Sequence, residues 1–323
     1  DNRRQRQMCI RDRNYTAGSG GGLGCWTSNS AKTCSPDVVN NFFFENGANY
    51  LLGPALGGGG IFSTSDAVDG TPVAFGISAP LIANNVIAAN NAMIAGGIAL
   101  VNSDIESATV TNNTIFANHG SGIYWGGTSP AITNNLVAHN SHGMEQFAAG
   151  PSSAALRFNN VYGNALQEES TDYINVPDVT GIDGNISLEP RMTLYRKGKY
   201  WIQPDSPCID AGDDSVVDPA WVDIDGQLRI QGLHVDIGAH ESDGTLRDVS
   251  IPVVYVRPDG DDLQDGLSWA TAKETVPEGI NAAYLLQGDV WVAEGEYARP
   301  TTPEPAPFSL PAWVNLYGGF GGT

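Results

Sequence analysis

Asparagine pairs recur along the chain at Asn40-Asn41, Asn84-Asn85, Asn112-Asn113, Asn134-Asn135 and Asn159-Asn160, at intervals of 44, 28, 22 and 25 residues. Around the first four pairs the neighbouring residues repeat as well. An apolar residue stands two positions before each pair (Val38, Ile82, Val110, Ile132) and another three positions after its first Asn (Phe43, Ile87, Ile115, Val137). A further asparagine follows six positions on (Asn46, Asn90, Asn118, Asn140), then a glycine before an apolar residue (Gly60-Ile61, Gly97-Ile98, Gly122-Ile123, Gly143-Met144). Such a unit is too short to bury its own apolar side chains, so successive units must stack. Stacking predicts one apolar column through Ile82, Val110 and Ile132.

The pattern therefore describes a coil of short strands joined by tight corners. Asparagine tolerates the left-handed corner conformation, and stacked amides can bond from coil to coil at the strand spacing. Asn84, Asn112 and Asn134 are the expected members of that ladder. Glycine before the next apolar residue predicts a second corner with positive φ. The fifth copy keeps Tyr162 and Asn164 but carries Arg157 where an apolar residue is expected, so its register is open. An all-β sandwich, the rival architecture, gives no reason for asparagine at matching offsets. Unequal intervals point to loops of unequal length, the largest around Gly57 to Gly60.

On these residues, the stretch from about 37 to 165 resembles the repeat of right-handed parallel β-helix proteins of the pectin-lyase-like superfamily, whose usual form appears here as ITNNLVAHN. The following blocks, GNISLEP, YWIQPDSPCIDAGD and VDIDGQLRIQGLHVDIGAHE, resemble the closing region of bacterial choice-of-anchor surface β-helix proteins. From VVYVRPDGDD onward the chain resembles the opening of another β-helix. There VVYV is the expected first strand and a helix from about Ala272 to Leu286 the expected cap, with Val276, Ile280, Ala283 and Tyr284 facing the core. The fold class expected is all-β, a right-handed parallel β-helix followed by the capping start of a second. The expected organisation is a non-native extension over 1–13, the C-terminal part of a parallel β-helix with its cap over 14–241, a linker over 242–250, and the N-terminal cap and first turns of a second β-helix over 251–323. The opening DNRRQRQMCIRDR reads as adapter-derived.

Charge narrows the partners. Sixteen Lys and Arg stand against 36 Asp and Glu, a net charge of −20, and Arg3, Arg4, Arg6, Arg11 and Arg13 all lie in the opening segment. So acidic a surface repels phosphate backbones and anionic lipid, while neutral extracellular polysaccharide and divalent cations remain open. No apolar run is long enough to cross a membrane. Cys25 and Cys34 bracket a polar loop that a disulfide closes in an oxidising compartment, or they are two buried thiols.

The chemistry that parallel β-helices host was sought by its parts. A lyase acting on uronates needs a positioned base and a cation, yet the repeat from 37 to 165 holds one basic residue besides histidine, Arg157. A hydrolase needs paired carboxylates, and Asp104, Glu106 and Glu145 are scattered. His119, His139, His142 and Glu145 form the one catalytic candidate, with His119 and His142 expected near one corner of adjacent coils. The alternative is ordinary loop histidines. Asp223 and Asp225, and Asp259, Asp261 and Asp265, have the density of calcium loops without a complete EF-hand series; as acidic turns they would cap backbone amides instead. No cofactor besides calcium is implied. Tyr124, Trp125, Trp201 and Trp221 are candidates for stacking on sugar rings or for packing. The function expected is a non-catalytic secreted or cell-surface β-helix protein, a stalk or glycan-contacting adhesin; the alternative is a polysaccharide lyase or glycoside hydrolase whose catalytic coils lie outside this chain.

Overall fold

A computed structural model describes residues 9–10, 14–16, 20–26, 34–48, 57–64, 78–101, 108–147, 153–166, 169–193, 200–247, 251–286, 288–297, 310 and 314–322. The chain forms two compact units, one over 1–192 and 201–246, the other over 193–200 and 247–323.

The first unit is a parallel β-helix with three faces. Face A stacks Asp37–Val39, Leu81–Ala83, Thr109–Thr111, Ala131–Thr133 and Ala155–Arg157. Face B stacks Phe42–Phe44, Val86–Ala88, Thr114–Phe116, Leu136–Ala138 and Asn160–Tyr162, and Cys9–Ile10 of the opening segment adds to it beside Phe42–Phe43. Face C, with the longest strands, stacks Leu23–Trp26, Ile61–Thr64, Ile98–Val101, Ser121–Gly126, His142–Gln146 and Tyr173–Ile174. Every strand pair within these faces is parallel, as coils wound in one direction require. Ile82, Val110 and Ile132 are in register and fully buried, the predicted column. Phe43, Ile87, Ile115, Val137 and Val161 from face B, and Ile61, Ile98, Ile123 and Met144 from face C, complete the same core.

The asparagines divide their work differently from the expectation. Asn84, Asn112 and Asn134 do adopt the left-handed corner, with φ of 56°, 54° and 59°, but they are not the ladder. The ladder is built by the second residue of each pair. Asn41 Nδ2 donates to Asn85 Oδ1 (3.0 Å), Asn85 to Asn113 (2.9 Å), Asn113 to Asn135 (2.9 Å), Asn135 to Asn159 (3.1 Å) and Asn159 to Asn185 (3.0 Å). A second ladder runs Asn46, Asn90, Asn118, Asn140, Asn164 and ends on Asp172. Its corners also have a left-handed residue just before the ladder position: Glu45, Ala89, Ala117 and His139. The physical reason is geometric: the left-handed residue turns the chain, and only the next residue carries its amide into the buried corner.

The same rule settles the fifth copy. Leu156 pairs with Ile132, Phe158 takes the left-handed position (φ 51°), and Asn159 enters the ladder. The Asn159-Asn160 pair is thus offset by one residue from the other four.

Gly60, Gly97, Gly122 and Gly143 are not among the positive-φ glycines. They are required by space. A Cβ on Gly97 would lie 2.2 Å from the carbonyl oxygen of Gly122, and one on Gly122 would lie 2.8 Å from Val137 Cγ1.

After the last coil the chain returns along the outside of face B. Asn160 Nδ2 donates to the Leu188 carbonyl (2.9 Å), and its Oδ1 accepts from Leu188 N (3.1 Å). Asn134 exchanges two bonds with the Asp213 backbone (3.0 and 2.8 Å). Thr114 Oγ1 accepts from Ala239 N (3.0 Å), and Asn84 Nδ2 donates to the Val222 carbonyl (3.2 Å). Asn84 and Asn134, corner residues that miss the ladder, thus join Asn160 and Thr114 in holding a strap, described over residues 186–192 and 201–241, that is laid across successive coils and covers the outward Leu136. Cys25 and Cys34 are disulfide-bonded, with Cα atoms 5.8 Å apart.

The second unit has a parallel sheet of Val253–Val256, Asp289–Ala293 and Leu316–Phe320, with a helix over Val276–Leu286. Val254, Val256, Ile280, Ala283, Val290, Val292 and Val314 form its core, with Val276 packed against it. Tyr284, expected to face that core, is 37% exposed, because Gly279, Ile280 and Ala283 define the buried stripe.

Candidate functional site

The outside of face C carries the histidine and carboxylate that the sequence singled out. His142 pairs with Ser121 across neighbouring coils, and Glu145 pairs with Tyr124. Ser121 Oγ donates to Glu145 Oε2, and His142 Nδ1 lies 3.5 Å from the same oxygen. Ser121 is fully buried, whereas His142 and Glu145 keep 25% and 20% of their side chains exposed. Burial, then the nearby Glu145 charge, pushes the Tyr124 hydroxyl up to about 12, so it stays protonated and able to donate. The group is an arrangement of hydrogen-bonding side chains with one carboxylate at its centre.

The other histidines are elsewhere. His119 bridges to Asn91, and Ser141, rather than His142, donates its N–H to the carbonyl beside it at Asn118. His119 and His142 therefore occupy different register positions of neighbouring coils, His119 directly after the ladder residue Asn118 and His142 two residues after Asn140, opposite Ser121. His139 sits at a face B corner between the rings of Phe116 and Tyr162 (5.1 and 5.9 Å) and 4.0 Å from Glu189. Arg157 lies 3.5 Å from Asp213 of the strap and 5.7 Å from the Phe158 ring centre, so it is engaged in holding the strap. Trp125 is fully buried among the core residues and Tyr124 is buried in a second apolar cluster, which removes both from the sugar-stacking candidates.

A second cluster closes the strap. Asp223 Oδ1 accepts from the N–H groups of Asp225 and Gln227 (2.9 and 2.8 Å), and Oδ2 accepts from Glu241 N (3.0 Å). Arg229, only 1% exposed, reaches Glu241 Oε1 at 3.0 Å and donates to the carbonyls of Asp236 and Gly238. Asp236 binds the N–H groups of Asp210 and Ser242 (2.8 and 2.6 Å). Three buried carboxylates thus surround one buried guanidinium. Burial pushes Glu241 up to about 9 and Asp236 to about 6, against the opposing pull of Arg229. His240 is 3% exposed; its Nδ1 lies 3.1 Å from Asp225 Oδ2, which also accepts from Trp201 Nε1.

Among the described residues, the one group of three side chains arranged to hold a metal ion is Asp223, Asp225 and His240. Sequence reasoning found the two aspartates and missed His240, Arg229 and Glu241. The signal was present in the single arginine of the block DIDGQLRIQGLHVDIGAHE, since a lone guanidinium among buried acids has to be paired. Asp259, Asp261 and Asp265 are not drawn together. Asp261 and Asp265 each accept from the N–H two residues on, at Leu263 and Leu267 (both 2.9 Å), and Asp259 lies 3.4 Å from Arg257 Nε. Asp261 and Asp265 thus cap backbone amides, whereas Asp259 faces a guanidinium.

No curated protein and no solved structure matches the chain. Residues 56–176 match the family model described as right handed beta helix region. That segment spans four coils of the stack, and the match and the parallel topology agree: the first unit is built on a right-handed parallel β-helix.

Proposed function

We propose that this chain is a non-catalytic protein of the cell exterior whose β-helix serves as a rigid stalk that contacts neutral extracellular glycan through the outside of face C. The observation that carries the reading is the partly exposed pair of His142 and Glu145, an imidazole and a carboxylate 3.5 Å apart on a stiff, parallel-stranded surface and suited to sugar hydroxyls, with the buried Ser121 hydroxyl holding the carboxylate from the preceding coil. The disulfide between Cys25 and Cys34 supports an oxidising compartment. A net charge of −20 favours neutral over uronate polymers. The engagement of Arg157 with Asp213 leaves the stacked coils without a positioned guanidinium for proton abstraction. A glycan array probed with the purified chain tests the reading. Binding of neutral glycans that is lost in Glu145→Ala supports it; a flat array, or binding indifferent to that change, defeats it.

The 3.5 Å approach of His142 to Glu145 favours one other reading, a polysaccharide lyase or glycoside hydrolase with His142 as base. Its measure is ultraviolet absorbance of unsaturated products from pectate, alginate and chondroitin, with reducing-end assays on neutral polymers. Turnover abolished by His142→Ala would place this reading first.

A further inference from the structure

We propose that Asp223, Asp225 and His240 bind a divalent transition-metal ion of the zinc class, which fastens the end of the strap. One carboxylate oxygen from each aspartate and one ring nitrogen of His240 lie within 4.8 Å of one another. His240 Nδ1 and Asp225 Oδ2 stand 3.1 Å apart. Bonds of about 2.0–2.2 Å to a common ion set neighbouring ligands about 3–3.5 Å apart, so the cluster closes on an ion with small shifts.

A second observation is independent of the acidic cluster. His240 is 3% exposed, and its buried Nε2 has no hydrogen-bond partner among the described residues. A buried imidazole held from one side only is costly. Either tautomer leaves a difficulty. With the proton on Nδ1, the bare Nε2 is buried and unpaired. With the proton on Nε2, the Nδ1 lone pair faces a carboxylate at 3.1 Å, a contact that a cation between them turns from repulsive to attractive.

Asp223 spends three of its roughly four lone-pair sites on backbone N–H groups, leaving one for an ion. Trp201 Nε1 donates to Asp225 Oδ2 and orients it, as outer partners of metal ligands do. The nitrogen donor decides the class of ion: calcium and magnesium take all-oxygen sets, whereas imidazole with carboxylate suits zinc and its transition-metal neighbours.

The experiment uses the full chain, stripped with a chelator and titrated calorimetrically with zinc chloride and, separately, calcium chloride. The expected result is one zinc ion per chain, a rise in melting temperature on binding, and weaker calcium binding. His240→Ala should weaken zinc binding at least about tenfold, the lower bound seen when even outer partners are lost. Asp225→Asn, on an exposed turn, should do the same without disturbing the fold, and decides the matter if His240→Ala fails to fold. His234→Ala, at the exposed contact with Asp214, should leave binding unchanged. No zinc uptake, zinc uptake equal in wild type and Asp225→Asn, or a preference for calcium overturns the proposal.

Discussion

At positions 112 and 113 two identical side chains meet opposite demands. Asn112 turns the corner at φ 54°, accepts one bond from Thr111 Oγ1, and leaves its Nδ2 without a partner among the described residues. Asn113 donates to Asn135 Oδ1 and to the Ile82 carbonyl (both 2.9 Å), while its own Oδ1 accepts from the amide and the backbone of Asn85. The corner needs a conformation; the ladder needs an amide. Asn112→Gly should therefore change stability by no more than about 1 kcal/mol, since glycine adopts the same φ freely. Asn113→Ala should cost about 2–4 kcal/mol by stranding donors and acceptors in both neighbouring coils. Urea melts of the two variants check this; equal losses would refute the division of labour. Both residues look alike in the sequence because a recurring dipeptide marks a corner without saying which member bears the bonds. Cys208 offers a second test at this scale. Fully buried, with Asn160 Nδ2 donating to its sulfur at 3.1 Å, its thiol is pushed up to about 11. In a Cys9→Ser background it should resist alkylation at pH 8 until the chain unfolds; rapid labelling of the native protein would show that the strap lifts away from Asn160.

The strap is the element that the sequence concealed. Its blocks were recognisable in order, but their destination was not: Asn134 meets Asp213 79 residues away, and Asn84 meets Val222 at a separation of 138. No periodicity encodes such contacts, because the strap is irregular backbone whose polar groups are satisfied by corner asparagines of a different element. Its closure rests on Arg229, which is almost wholly buried between Glu241 and the carbonyls of Asp236 and Gly238. Replacing Arg229 by Ala removes the partner of a buried carboxylate and should cost about 3–5 kcal/mol. The loss should be local in its first effects, so amide exchange should accelerate over 208–241 before it does in the ladder residues. Uniform acceleration across the coils would mean that strap and coils unfold together, and that the strap is no separate element. The face C group was half legible for a related reason. His142 and Glu145 stand close in sequence, but Ser121 and Tyr124 reach them from the preceding coil, which only the register fixes.

At the scale of the molecule, the two units differ in how they build a core. In the first, each added coil supplies one residue to each column, and the columns from Val38 to Leu156 and from Phe43 to Val161 merge into one continuous cluster. In the second, among the described residues, three parallel strands and one helix enclose a cluster of seven buried apolar residues. Its outward side holds a different kind of packing. Tyr255, Trp291 and Tyr317 are in register across the sheet, Trp269 packs on Tyr255 at 4.7 Å, and Phe320 stacks on Trp291 at 4.6 Å. The pattern of VVYV and VWVA made the strands legible, and the spacing of Val276, Ile280 and Ala283 the helix. The aromatic layer was not foreseen, because Trp269 and Phe320 come from loop and strand end. So short a segment buries a smaller fraction of its unfolded chain's surface than a full-sized domain does, and a three-stranded parallel sheet is near the lower limit of independent stability. Residues 249–323 expressed alone should therefore show weak amide-exchange protection and a broad, shallow melt, with Trp291 fluorescence shifting early. The whole chain should keep a cooperative transition from the first unit. A sharp cooperative melt of 249–323 in isolation would mean that the aromatic layer contributes enough stability to make this unit a complete domain.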